Sequence, residues 1–232
     1  MKTYLEIPEI ERMEEASQCM RDRLLNRILA RTGCRITEVI SLTTDDVDLE
    51  SGLVKIIHLK RRVKLLCPSC GARLAKRDRY CNSCGRAVEV AGRQEKEQAK
   101  FRMLSVDTDT LAMIRQYVER GGPVLKKDGK HYLFGINRHR AWQIVKECAE
   151  RAGLPELVNS ETGKKHHVSP HRLRDAFAVH AVKADDSGDG LRLLQVHLGH
   201  ASFDTTARYR KVAGEEHRRW YDKLWEKGAG HG

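Results

Sequence analysis

Residues 168–209 read VSPHRLRDAFAVHAVKADDSGDGLRLLQVHLGHASFDTTARY, and their punctuation predicts three short helices with their ends at close quarters. Ser169 followed by Pro170 is a helix start: a hydroxyl that can satisfy orphan N–H groups, then a ring whose φ is already helical. His171 and Arg174, three residues apart, then share one face of that helix. A second helix runs over 191–198 and stops at Gly199, because glycine accepts a left-handed cap without a Cβ clash. His200 lies just past that cap, and Asp204 is placed to cap a third helix carrying Tyr209 in its second turn. Alone, an H-x-x-R pair is usually a solvated helix face, and a tyrosine on an amphipathic helix is usually packing. Together, a guanidinium, two imidazoles and a phenol at three helix ends can surround one anion.

Working outward, the chain has 232 residues, which suits one domain with a small insertion. A hydrophobic share of 40% can build a core, and a formal charge of +11 calls for a polyanionic partner, nucleic acid or an acidic membrane surface. No apolar run approaches the ~20 residues of a span, and the N-terminal MKTYLEIPEIER has no apolar signal core. Nucleic acid in a reducing, cytoplasmic setting is therefore expected. Seven cysteines there suggest metal ligands or free thiols before disulfides.

Residues 1–20 read as a polar, partly helical segment outside the main domain, which is expected over 21–227, with 228–232 a frayed tail. Apolar residues at 24, 25, 28 and 29 give a helix with a buried stripe, and Gly33 interrupts it. Ile36, Val39 and Ile40 resume the period, placing Arg35 and Glu38 i,i+3 on the next helix. Residues 53–59 (LVKIIHL) and 101–106 (FRMLSV) read as partner strands. Helices are expected over 107–118, with Leu111, Ile114 and Val118 inward, and over 138–152, with Arg138 and Arg140 at its start. His58, His180 and His197 read as structural, and His166 and His167 as loop residues. Trp220, Tyr221, Leu224 and Trp225 form an apolar stripe, for the protein's own core or for a neighbouring protomer.

Between the two strands stands CPSCGARLAKRDRYCNSCG. Cys67/Cys70 and Cys81/Cys84 are two C-x-x-C pairs, each followed by glycine, with ten residues between them. Four thiolates are the tetrahedral soft set of structural zinc, and a filled set leaves no open position for catalysis. A pair of redox or disulfide motifs and an iron site are the alternatives. An insertion over 61–99 is too small to fold on apolar burial alone, so metal binding should supply its stability. Between Lys55 and Arg102 there are 14 Lys/Arg against 4 Asp/Glu, a solvated surface or a finger that follows phosphates. Cys19, Cys34 and Cys148 fall in helical segments and read as ordinary thiols.

The order HRLRDAFA, then LGHASFDTTARY, resembles the tyrosine recombinase (phage integrase) family, whose pattern runs HxLRHxFA, then LGHxxxxTTxxY. TGCRITEVISL at Arg35 is similar to that family's TGLRxxELxxL segment. The resemblance covers about residues 20–215, broken by the cysteine insert. It implies an α+β, mainly α fold: a catalytic-domain helical bundle with a small antiparallel sheet and an inserted zinc-ribbon-like finger. It implies catalytic roles for Arg35, His171, Arg174, His200 and the nucleophile Tyr209, with Glu38 as a supporting carboxylate. It also implies a lysine on the turn between the two strands. Lys60 is the first match, Lys100 the second and Lys64 the third, because the insert has opened that turn. Asp175 stands where the family often has histidine. In the family a helical DNA-binding domain precedes the catalytic one and completes a clamp on the duplex. These residues match only the catalytic part, leaving open a minimal form or part of a longer chain.

The chemistry implied is site-specific DNA cleavage and rejoining through a 3′-phosphotyrosyl link. Partners would be double-stranded DNA and further copies of the chain, two or four on DNA, and no membrane. A phosphodiester repels anionic nucleophiles, so its non-bridging oxygens must be neutralised, which permanently charged bidentate guanidinium groups can do. Histidines can hydrogen-bond the same phosphate and move protons, while nearby arginines are expected to favour the phenolate of a tyrosine whose free pKa is about 10. Structural zinc is the one cofactor expected; no catalytic metal or organic cofactor is. A non-cleaving DNA-binding protein and a relaxing topoisomerase are the rival readings.

Overall fold

Leu24, Leu25 and Leu29 are wholly buried and Ile28 nearly so, each contributing about 1.5–3 kcal/mol by leaving water. They make α2 (Met20–Thr32) the helix around which the larger part of the protein packs. In this computed structural model the described residues are 2–57, 63–75, 78–88, 92–95, 101–159 and 162–213. They fall into two compact units, one of residues up to Ile56 and from Arg102 onward, the other Ile57–Phe101.

In the larger unit α2 is preceded by α1 (Ile7–Glu15) and followed by the single turn α3 (Ile36–Val39). Strands β1 (Val47–Asp48) and β2 (Leu53–Ile57) pair antiparallel, Val47 opposite Val54. The smaller unit holds β3 (Val63–Leu66), β4 (Arg73–Leu74) and β5 (Gly92–Glu95). Strand β6 (Phe101–Ser105) then joins the first sheet beside β2, giving the order β1-β2-β6. Helix α4 (Thr108–Glu119) is capped by the Asp107 carboxylate, which accepts from Thr110 N. A hairpin of β7 (Val124–Leu125) and β8 (His131–Tyr132) leads to α5 (Arg138–Arg151), capped by Asn137. A second hairpin, β9 (Leu157–Val158) with β10 (Lys165–His166), leads to α6 (Pro170–Ala184), α7 (Gly188–Leu198) and α8 (Phe203–Ala213).

Helix α2 packs against α1, α3, α4, α5 and α6, which explains its stripe of leucines. A second apolar cluster, Ala178, Val182, Leu191, Leu194 and Leu198, joins α6 to α7, and the Tyr209 ring of α8 packs against it. The whole is α+β and mainly helical with small antiparallel sheets, as the sequence implies. Among the described residues no helix is long and apolar enough to cross a membrane.

The sequence reading differs from the structure in several places. The first twenty residues do not stand apart: Leu5 and Met13 are wholly buried in the main core, and Val158 N donates to Lys2 O at 2.8 Å. Their stripe is too short to register as a period, yet it closes one side of α2. Helix α7 starts at Gly188, three residues early, because the Ser187 hydroxyl accepts from Gly190 N. Asp204 lies inside α8; the Ser202 hydroxyl before it accepts from Asp204 N at 3.2 Å. The helix over 107–118 turns Thr110, Ile114 and Tyr117 inward, while Leu111 and Val118 are half-buried. The stripe over 214–227 and the tail lie outside the described residues.

The smaller unit is a three-stranded antiparallel sheet in the order β4-β3-β5, with Leu65 opposite both Leu74 and Arg93. Among its described residues the core is Cys67, Leu74 and Cys81, with Leu65, Ala72 and Val88 against them. Such a core is far smaller than a free-standing domain requires.

Gly33 ends α2 at φ +59, and a Cβ built there would meet Phe177 Cδ1 at 2.6 Å. Gly153 has a similar φ of +63 but open space around it. Gly33→Ala is therefore expected to lose about 2 kcal/mol more than Gly153→Ala, read from the urea midpoints of the two variants.

Candidate active site

Helices leave their last carbonyls without partners and carry partial negative charge at those ends. The ends of α2 and α7 meet here, and Arg174 of α6, only 3% exposed, sits between them. Its Nη1 donates to Gly33 O at 2.7 Å and its Nη2 to Leu198 O at 2.8 Å. His197 Nε2 donates to Thr32 O at 2.9 Å, and its ring stacks on Phe177 at 4.8 Å, the structural role expected of it. Burial, and then Arg35, lower the Arg174 pKa from its usual value, but a guanidinium starts far enough above neutrality to stay charged.

Arg35 sits at the N-cap of α3 rather than within the helix. Glu38, almost fully buried, accepts from Arg35 N at 2.9 Å and from Arg35 Nη1 at 3.0 Å. Arg102 of β6 is a second cation on Glu38: its Nη2 lies 2.9 Å away and its Nε donates to His197 O at 2.7 Å. Burial resists charge on Glu38, but the hydrogen bonds from Arg102 and Arg35 N, with the charges of both arginines, outweigh it and lower its pKa. Sequence reasoning missed Arg102; its trace was an arginine inside a strand between Phe101 and Met103.

Gly199 caps α7 in the left-handed region at φ +65, and the chain turns there to present His200. His200 Nδ1 is 2.9 Å from Thr206 Oγ1, and its ring lies 6.3 Å from that of Tyr209, near parallel. Burial, then the charges of Arg174 and Arg35, push His200 down to about 4, so it is neutral at pH 7 and free to accept or donate a hydrogen bond. His171, by contrast, is largely exposed, with Nε2 3.9 Å from Asp175 Oδ1.

The Tyr209 hydroxyl donates to Asp175 Oδ1 at 2.9 Å. Burial, then the Asp175 charge and this hydrogen bond, push the phenol above its usual value, against the pull of Arg174 and Arg208. The arginines do favour the phenolate, as expected, but burial and the half-buried carboxylate that accepts from the hydroxyl outweigh them.

All five groups, Arg35, His171, Arg174, His200 and Tyr209, line one cleft of about 780 Å³. Arg138, Arg172 and Arg208 line it too, and Asp175 is the one carboxylate among its lining residues. Five guanidinium groups around one carboxylate make an anion site. Lys60 and Lys100 lie outside the described residues, as does His58, and of Lys64 only the backbone, in β3, is described. His180 Nε2 donates to Leu5 O at 2.9 Å, and His166 lies in β10.

In the smaller unit the four sulfurs of Cys67, Cys70, Cys81 and Cys84 lie within 4.8 Å of one another. The two knuckles repeat one turn: Gly71 N donates to Cys67 O and Cys67 N to Ala72 O, as Gly85 N does to Cys81 O and Cys81 N to Arg86 O. Both glycines have φ +69. The N–H groups of Ser69 and Cys70 face Cys67 sulfur, and those of Cys84 and Ser83 face Cys81, lowering both thiol pKa values. Amides aimed at clustered sulfurs fit thiolate ligands. Cys34 and Cys148 are buried free thiols, and Cys19 is exposed.

A mainly helical domain with small antiparallel sheets, placing a tyrosine in an arginine-lined cleft, is the architecture of a tyrosine recombinase catalytic domain. Residues 4–216 match the phage integrase family, and the chain belongs to that family. It is 31% identical over 199 residues to the tyrosine recombinase XerD of Bifidobacterium longum, covering 84% of this chain and 51% of that protein. It is also 31% identical over 202 residues to XerD of Neisseria meningitidis serogroup B, with the same coverage. The chain thus spans about half the length of the curated relatives it matches. Among solved structures, XerA recombinase is similar at a TM-score of 0.64 and 20% identity, covering 98% of this chain and 65% of that one. The catalytic domain of bacteriophage HP1 integrase is similar at 0.54 and 16%, covering 99% of this chain and 100% of that one.

Replacing Glu38 by Gln removes the charge that balances Arg35 and Arg102, and the expected loss is about 3 kcal/mol at pH 7. Because the folded carboxyl has the lower pKa, its stabilisation is full above 4.5 and is lost as pH falls through the folded value. The difference between the two proteins in denaturant titrations should therefore shrink in acid.

Proposed function

We propose that this protein is a site-specific DNA recombinase or integrase that cleaves and rejoins duplex DNA through a covalent 3′-phosphotyrosyl intermediate. The observation that carries the proposal is the convergence of Arg35, His171, Arg174, His200 and Tyr209, from separate stretches of sequence, on one arginine-lined cleft. The family, and the XerH recombinase bound to its palindromic difH substrate as a post-cleavage complex (TM-score 0.61, 20% identity), support a DNA substrate.

In this mechanism the scissile phosphate rests on Arg35 and Arg174. Arg174 commits one N–H from each terminal nitrogen to carbonyls, leaving three of the five donors of a guanidinium for the phosphate. His171 and neutral His200 complete the hydrogen bonds to its oxygens. The Tyr209 oxygen attacks phosphorus, the bond to the 5′ oxygen breaks, and a 3′-phosphotyrosine forms. The phenol proton passes to His171, and Lys60, or Lys100 or Lys64 in its place, protonates the departing 5′ oxygen. Glu38 holds Arg35 and does not react. Rejoining reverses these steps with a 5′ hydroxyl as nucleophile, so the phosphotyrosine conserves the bond energy. The arginines supply the charge, and no catalytic metal is required. Two or four copies acting on one DNA would allow strands to be exchanged.

Cys67, Cys70, Cys81 and Cys84 would hold one structural zinc, whose ligation stabilises a unit too small for its own core. The basic residues around it then serve as a phosphate-following finger.

On a nicked suicide duplex carrying the true site, the protein should accumulate a covalent adduct on denaturing gels that Tyr209→Phe abolishes. Absence of any tyrosine-dependent adduct would favour a non-cleaving DNA-binding protein, and relaxation without recombinant product a topoisomerase. Metal analysis of the reduced protein should find about one zinc per chain. Chelation or Cys67→Ser should disorder residues 57–101 and leave the larger unit folded by amide exchange; zinc-free reduced protein would refute the assignment.

A further inference from the structure

Asp175 is the one acidic side chain in the cleft, and it is spent on the nucleophile. Its Oδ1 accepts the Tyr209 hydroxyl at 2.9 Å, while Arg172 Nη1 holds its Oδ2 at 2.9 Å. The carboxylate is mostly buried, its side chain 16% exposed, and the Tyr209 ring is seated on the α6–α7 apolar cluster. Both partners of the hydrogen bond are thus fixed before any DNA arrives.

We propose that Asp175 is a positioning residue that also withholds the nucleophile: it docks the Tyr209 hydroxyl at the cleft wall and keeps it protonated until a DNA phosphate draws it away. The inference rests on Tyr209 being the nucleophile. Two arguments favour a hold over proton abstraction. A carboxylic acid is ordinarily about six pKa units stronger than a phenol, so transfer of the proton to a carboxylate is uphill about a millionfold. A phenolate formed beside the carboxylate would also face a like charge, and the shift of Tyr209 above its usual value agrees with that sign.

The other titratable groups around the hydroxyl are basic, and Arg174 and Arg208 pull in the opposite direction. On α6 these are His171, Arg172 and Arg174; on α8, Arg208; at the turn, neutral His200; and across the cleft, Arg35 at the start of α3 and Arg138 of α5. An incoming phosphate engages those cations and offers the hydroxyl a second anionic acceptor. The phenol then exchanges Asp175 for the substrate, and the proton leaves only once the phosphate is in place. Resting protein is thereby protected from attack by its own tyrosine on stray esters.

The test uses the full chain carrying 3-fluorotyrosine, with the Tyr209 fluorine resonance identified by its loss in Tyr209→Phe. Asp175→Asn keeps an oxygen acceptor and removes the charge. Its Tyr209 titration midpoint should fall by about one unit or more, while Asp175→Glu should stay near the wild-type value. In single-turnover adduct formation on the suicide duplex, Asp175→Asn should react several-fold faster at neutral pH, its pH–rate profile displaced toward acid. An unmoved midpoint would overturn the proposal. So would an adduct rate reduced tenfold or more at every pH in folded Asp175→Asn, which would make the carboxylate a proton acceptor. If no protein forms an adduct, the recombinase reading fails, while the fluorine titration still decides whether Asp175 holds the proton.

Discussion

One buried guanidinium underlies the arrangement of this protein. Arg174 has almost no contact with solvent, and two of its donors are given to the terminal carbonyls of α2 and α7. A buried charge is tolerable only when its surroundings answer it, and helix C-termini answer a cation with both free carbonyls and a favourable dipole. The same residue therefore stabilises the junction of three helices and presents its remaining donors to the cleft. Holding the scaffold together and facing an anion become a single geometric requirement.

The groups next to it follow from that junction. His197 and Arg102 stitch the same two helix ends, Glu38 balances Arg102, and Arg35 is aimed by Glu38 from the cap of α3. His200 follows directly after the cap of α7, so its ring is fixed where burial, and then the nearby guanidinium groups, hold it neutral. Cationic surroundings thus come from residues with permanent charge, while the titratable groups are tuned by them. Asp175 is the exception, an acid in a basic cleft, and its location against the tyrosine gives that exception a role.

The inserted unit solves a different problem. Among its described residues the core is two cysteines and a leucine with three half-buried neighbours, far less apolar burial than ordering such a chain requires. Two repeated knuckles aim backbone amides at sulfur, preparing a ligand set whose metal would replace the missing core. With such a metal bound, the unit would interrupt the turn between β2 and β6 while supplying its own stability.

Much of this was legible in the chain itself. The leucine period of α2, the Ser169-Pro170 start, the Gly33 and Gly199 stops and the paired C-x-x-C motifs are local signals, written within a few residues and governed by backbone sterics and ligand spacing. The residues of the cleft could be named because their motifs are short and ordered. What could not be read were effects of distance zero in space and large distance in sequence. Arg102 lies 64 positions from Glu38, Asp175 lies 34 from Tyr209, and Leu5 reaches the core from the far end of the chain. The net direction of the shift at Tyr209 was not legible for the same reason. The sequence supplied arginines to attract a phenolate, and only the fold decided that a carboxylate would be closer, because electrostatic effects in a buried site are set by separation and desolvation rather than by composition.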